Sequence, residues 1–168
     1  MKHYALLAGK YILLFSMLVS MWGCTTVNHK VGEALNLDTD LKLELFVDEE
    51  INPDENNQSS PVFIRLYELN SPKAFEKADF IDIYERDEEV LGDTFVKKQE
   101  LKRVVPGTYR KERFVLSKDT RYVALFAEFY NYKDSKAKLH FAVTSSNVIR
   151  NAIKISVDGN KILLGKKN

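Results

Sequence analysis

The sequence predicts a mainly β protein, a two-layer antiparallel β-sandwich with a short helical insertion, and three observations carry that prediction. Apolar residues alternate with polar ones at Leu41, Leu43, Leu45 and Val47, and again at Ile153, Ile155 and Val157. A period of two is the pattern of a half-buried strand. Asp158-Gly159-Asn160 lies between two apolar runs, a strong hairpin signal because such turns need residues that tolerate positive φ. Only one segment, 72–87, shows the three- and four-residue apolar spacing of a helix, as an insertion would.

The elements follow in order. Residues 41–47 form the first strand. Pro61 opens a second run, in which Val62, Ile64 and Leu66 line one face and Phe63, Tyr67 and Leu69 the other. Ser71-Pro72 reads as a helix start, with serine capping and proline at the first helical position. Phe75, Ala78, Phe80, Ile83 and Tyr84 then supply the helical spacing. Residues 88–105 are ambiguous, with a strand expected from Phe95 up to the Pro106-Gly107 turn and another over 112–116. Residues 121–130 are apolar on both faces except Glu128, which predicts a central strand covered on both sides. Residues 139–143, 153–157 and 161–164 complete seven or eight strands, and strands in that number pack as two layers.

The chain has 168 residues, 45% of them hydrophobic and 29% charged, a globular composition of one-domain length. Lys and Arg number 25 against 24 Asp and Glu. That balance leaves no basic excess for nucleic acid.

The N-terminus has its own signature. Lys2 and Lys10 flank a positive region, and residues 11–22 (YILLFSMLVSMW) carry no charge. The run matches a secretory signal and is too short to cross a bilayer. It ends at Gly23-Cys24-Thr25-Thr26, with the only cysteine of the chain. A small residue directly before a cysteine resembles a lipobox, which places a signal peptide at 1–23 and an acylated Cys24 at the mature terminus. Met21 and Trp22 depart from the usual pattern, and an uncleaved helical anchor is the other reading. Residues 24–39 read as a lipidated tether, whose flexible part spans about 20 Å. The sandwich domain then covers 40–168, with its helical insert at about 72–87. Thr25, rather than aspartate, after the cysteine resembles the outer-membrane class.

Chemistry is sparse. Of the three histidines, His3 lies in the signal, His29 in the tether and His140 on a strand, where it reads as packing or surface. No carboxylate grouping has metal-ligand spacing, no serine sits in a Gly-x-Ser-x-Gly elbow, and no glycine-rich phosphate loop occurs. The acidic runs 48–50 and 85–89 read as solvated charge, because they lack the order of an EF-hand loop. The sequence therefore predicts neither an enzyme nor a bound cofactor or metal.

One segment stands apart. Glu49, Glu50, Ile51, Asn52, Pro53, Asp54, Glu55, Asn56, Asn57, Gln58, Ser59 and Ser60 hold one apolar side chain between two strongly apolar strands. A connection that long is often functional, although a surface insertion costs little in loop closure.

Taken with the lipid signal, a series of motifs resembles the type VI secretion lipoprotein family (TssJ, also called SciN or VasD). They are Ile51-Asn52-Pro53, then 60–69 (SPVFIRLYEL), Phe75-x-x-Ala78-Asp79-Phe80-x-x-x-Tyr84, Leu91-Gly92-Asp93 and Val105-Pro106-Gly107. The resemblance implies a transthyretin-like sandwich and an outer-membrane lipoprotein facing the periplasm. It implies a partner, the periplasmic C-terminal domain of the inner-membrane subunit TssM, in a complex with TssL. It also assigns partner contact to the loop between the first two strands, here 49–60. A carbohydrate- or peptidoglycan-binding sandwich, with Tyr130 and Tyr132 as a sugar platform, is the alternative.

Overall fold

The computed structural model describes residues 39–144 and 151–165. The signal, Cys24 and the tether before residue 39 lie outside the described residues. Eight strands are present among the described residues: β1 (Thr39–Ile51), β2 (Ile64–Leu69), β3 (Phe95–Glu100), β4 (Tyr109–Leu116), β5 (Tyr122–Ala127), β6 (Lys138–Ala142), β7 (Asn151–Gly159) and β8 (Lys161–Leu164). Helices α1 (Lys73–Lys77) and α2 (Phe80–Leu91) follow β2, and a 3-10 turn (Gly92–Thr94) leads into β3.

The strands form two four-stranded sheets, ordered β4-β1-β7-β8 and β3-β2-β5-β6. Their facing sides make the sandwich. Leu41, Leu43, Leu45 and Val47 point inward from β1, while Asp40, Lys42, Glu44 and Phe46 point outward. Each fully buried leucine contributes about 1.5–3 kcal/mol. β5 lies between β2 and β6, and Val123, Ala124, Leu125, Phe126 and Ala127 are all inaccessible. The reason is that Phe126 and Ala124 lie under the helices while Leu125 and Val123 face the other sheet. Among the described residues, the buried side chains join in one cluster reaching from Leu41 to Ile162, so a single core spans both sheets.

One pairing differs from a purely antiparallel sandwich. β1 and β7 run parallel, with Leu43 opposite Ile153 and Leu45 opposite Ile155. Parallel neighbours need a long crossover, and the chain between them, which builds the second sheet, its helices and edge strand β4, supplies it.

The helices cover the outer face of β3-β2-β5-β6 and are held there by charge. Arg65 on β2 donates from Nη1 to the carbonyls of Ile83 (3.3 Å) and Tyr84 (3.1 Å) and to Asp87 Oδ2 (3.2 Å), and from Nε to Glu128. α2 kinks beside that grip, where Arg86 has non-helical φ −139° and ψ 38°. Asp87 Oδ2 also accepts from the Tyr67 hydroxyl (2.7 Å) and Lys98 Nζ (3.0 Å). Asp87 is thus a buried anchor, a correction to the reading of 85–89 as wholly solvated; the helix turns it inward while its neighbours face water. Lys138 Nζ donates to the carbonyls of Phe75 (2.9 Å), Glu76 (3.1 Å) and Ala78, closing the C-terminal end of α1.

Candidate functional site

The polar loop after β1 has a built interior. β1 continues through Glu49 and Glu50 to Ile51, so the connecting segment starts at Asn52, later than the sequence suggested. A register shift between Val47 and Ile51 lets Ile51 pair with Gly159 and return to the inner face, where it is fully buried. Ile51 belongs to the core and cannot touch a partner. Asn52 is also buried, at 6% exposure, and takes positive φ (44°), a conformation asparagine adopts more readily than most residues. Its Nδ2 donates to Pro61 O (3.0 Å) and its Oδ1 accepts from Tyr130 N (2.7 Å). Asn52 therefore pins both ends of the loop and joins it to the segment after β5. These two are corrections to the expected contact set: the loop offers neither side chain outward.

Asp54 shapes the tip. Its Oδ1 accepts from the amides of Asn56 (2.8 Å) and Gln58 (2.9 Å), the local competition with backbone that makes Asx turns. Asp54 N donates to Gln58 O (3.0 Å), Asn57 N to Asp54 O (3.0 Å), and Ser60 N to Ile51 O (3.1 Å) across the base. Asn57 sits at φ 58°. The result is a small, internally bonded hook whose outward residues are Glu55, Asn56, Asn57, Gln58 and Ser59. Pro53 and Asp54 are half-buried, and Glu49 and Glu50 stand exposed on the end of β1.

Aromatic and apolar side chains flank the hook. Tyr130 is 57% exposed and its hydroxyl donates to Glu55. That hydrogen bond, with the negative field of Glu55 and Asp54, pushes the phenol pKa up and keeps it protonated. Phe63 is 54% exposed, beside Glu128, whose amide donates to Phe63 O (2.9 Å). Val105, in the turn before β4, is a further exposed apolar residue. Gly107 N in that turn donates to Asp48 O (2.9 Å), which ties the turn to the end of β1. Sequence reasoning found the hook but missed Asn52 as its anchor and Phe63 as its neighbour. The signal for Phe63 was a large apolar residue on the face of its strand opposite Ile64.

The other candidates resolve differently. Tyr132 stacks on Phe80 (centroids 4.6 Å apart, 17° between planes), whereas Tyr130 turns to Glu55. The two tyrosines serve different neighbours and do not form one platform. His140 on β6 faces Glu76 at 3.1 Å and is part-exposed. Among the described residues, no three metal-ligating side chains come together. What the hook can do chemically is present acceptors and amides, with aromatic area beside them, to another surface.

Comparison with known proteins gives this site a setting. Residues 39–160 match the family described as type VI secretion lipoprotein (VasD, EvfM, TssJ). No curated protein matches the sequence. Among solved structures, the fold is similar to that of the type VI secretion lipoprotein TssJ1 from Pseudomonas aeruginosa. There the TM-score is 0.69 at 22% identity, over 78% of this chain and 98% of that one. It is also similar to Serratia marcescens Lip, a membrane-bound component of the type VI secretion system, with TM-score 0.67 and 21% identity over 79% of this chain and 99% of that one. A third similar chain comes from a structure described as the TssM C-terminal domain from EAEC, with TM-score 0.63 and 20% identity over 74% of this chain and 99% of that one. The relatives share the fold, and the family match spans β1 to the β7–β8 turn. The chain belongs to the type VI secretion lipoprotein family.

Proposed function

We propose that the protein is acylated at Cys24, held on the periplasmic face of the outer membrane, and joined by its β1–β2 hook to the periplasmic C-terminal domain of TssM. In that role it tethers the inner-membrane subunit, which also assembles with TssL, to the outer membrane. The observation that carries the reading is the placement of the hook. β1 begins where the chain arrives from the Cys24 side and ends at the hook. Its 13 residues at about 3.3 Å each separate the two by roughly 40 Å. Anchor and contact loop therefore do not compete for the same end of the molecule. Support for the partner comes from the similar chain in the TssM structure. The contact side chains this reading assigns are Glu49, Glu50 and Pro53 to Ser59, with Phe63 and Tyr130 as aromatic anchors of the kind that dominate interfaces.

The test replaces residues 53–59 with a short glycine-containing turn and keeps Ile51 and Asn52, which the fold needs. Calorimetry with the purified TssM periplasmic domain should show binding lost, and secretion in cells should stop. With Glu49, Glu50, Asp54 and Glu55 concentrated there, charge should steer the encounter, so association with the unaltered protein should slow as salt rises. In the same strain background, Cys24→Ser should end palmitate labelling and free the domain from membranes. Full-strength binding by the shortened, folded protein would put the interface elsewhere on the sandwich.

A further inference from the structure

The two outer faces of the sandwich differ in cover and in charge. The helical layer shields β3-β2-β5-β6, and its outward side is acidic on balance: Glu76, Asp79, Asp82, Glu85, Glu88 and Glu89 outnumber Lys73, Lys77 and Arg86. Nothing among the described residues packs over the centre of β4-β1-β7. Register gives its outward rows. Lys42 lies between Arg113 and Ala152, Glu44 between Lys111 and Lys154, and Phe46 between Tyr109 and Ser156. Four cations thus surround one carboxylate, with Asp40 and Asp48 at the two ends of the strand. Glu44 accepts from Lys42 Nζ at 2.7 Å. That bond, with the fields of Lys111 and Lys154, holds its carboxyl below the usual range. The near-neutral balance of the whole sequence hides this separation.

The same face carries exposed apolar groups. Val115 is 58% exposed and Tyr109 50%, both outward on edge strand β4. The Tyr109 ring leans on Phe46 (4.8 Å) with Lys111 Nζ 5.5 Å from its centroid. Cations interspersed with a tyrosine and an aliphatic side chain on one sheet face suit a lipid surface, where basic groups meet phosphates and amphipathic rings settle among headgroups.

We propose that the outer face of β4-β1-β7 rests on an anionic phospholipid surface, with Lys42, Lys111, Arg113 and Lys154 against lipid phosphates and Tyr109 and Val115 in the headgroup layer. The acidic helices then face away from the membrane. β1 lies along the surface, and the hook projects sideways at its rim, open to a partner. Because β1 is the strand that leads back to Cys24, an acyl anchor would bring this face within reach of the bilayer.

The experiment uses the chain from residue 24 onward with Cys24→Ser, which retains the whole core and removes any acyl contribution. It should co-sediment with vesicles rich in phosphatidylglycerol, not with phosphatidylcholine alone, and release as salt rises. Each basic side chain near an anionic surface is worth about fivefold in partitioning. Changing Lys111, Arg113 and Lys154 together to Gln should therefore weaken binding about a hundredfold. The off-face set Lys73, Lys77 and Lys133 changed to Gln alters net charge equally and should bind like the parent. Equal loss in both sets, or no preference for anionic vesicles, would overturn the proposal. So would low-salt self-association abolished by the same face substitutions, which would give the face to a second copy.

Discussion

Asp87 shows how one side chain holds this fold. Burial opposes its ionisation, yet hydrogen bonds from Tyr67, Lys98 and its own following amide outweigh that and hold the carboxyl below its ordinary value. At its neighbour, burial together with the hydrogen bond to Asp87 outweighs the opposing pull of Arg65, so the Tyr67 phenol is pushed well up and stays protonated as a donor. A carboxyl with a depressed folded-state pKa contributes stability above its unfolded value, about 3.9, and loses it as pH falls through the folded value. The expected outcome for Asp87→Asn is a loss of about 2–3 kcal/mol near neutral pH, from leaving Arg65 and Lys98 without the negative charge they share. The variant should also lose less stability than the parent as pH drops below about 4. Urea unfolding at several pH values measures both. Parallel pH curves for variant and parent would mean that Asp87 does not carry the acid sensitivity.

Elements record what periodicity can and cannot reveal. The strands of β1, β2, β5, β7 and β8 were legible because alternation or a two-sided apolar run follows directly from which faces are covered. β3 and β4 were harder, since Val96, Lys98, Arg110 and Glu112 mix charge into half-buried edge positions. The end of β1 was misplaced because Glu49 and Glu50 bulge outward before Ile51 turns back to the core. The charged core-facing groups left no pattern at all. Glu68 is fully buried on β2, accepting from Gln99 (2.7 Å), Ser117 N (2.7 Å) and Thr120 Oγ1 (2.7 Å). Nothing local marks it, because its partners lie 31 to 52 residues away. Long-range partners also define α1, a helix too short to persist alone. Burial pushes the Lys138 ammonium down in pKa, yet it caps three of the last carbonyls of that helix. Lys138→Met should cost about 1–2 kcal/mol and speed amide exchange at Ala78, which donates to Ala74 O. Unchanged protection over 73–78 would show that packing of Phe75 alone holds the helix.

At the scale of the whole molecule, the two sheets and the helical layer should unfold together. The core is one cluster spanning both sheets and including Phe75, Ile83 and Leu91 from the helical segment. Arg65 and Lys138 lock both helices to strands of the central layer. Domains of this size with a single core are usually two-state. A protein from residue 39 onward should therefore be β-dominated by far-ultraviolet circular dichroism. Its transition should coincide with that of tyrosine signals from the core, among them Tyr67 under the helices. The coupling is testable by weakening the contacts between layers. In the double variant Asp87→Asn, Lys138→Met, each change removes a separate attachment of the helical layer while leaving the facing surfaces of the two sheets intact. The helices should then lose structure at lower denaturant than the strands, and the two signals should separate. If they still coincide, with both shifted equally, the apolar contacts of Phe75, Ile83 and Leu91 would suffice to bind the helical layer to the sandwich, and the polar attachments would add stability without adding cooperativity.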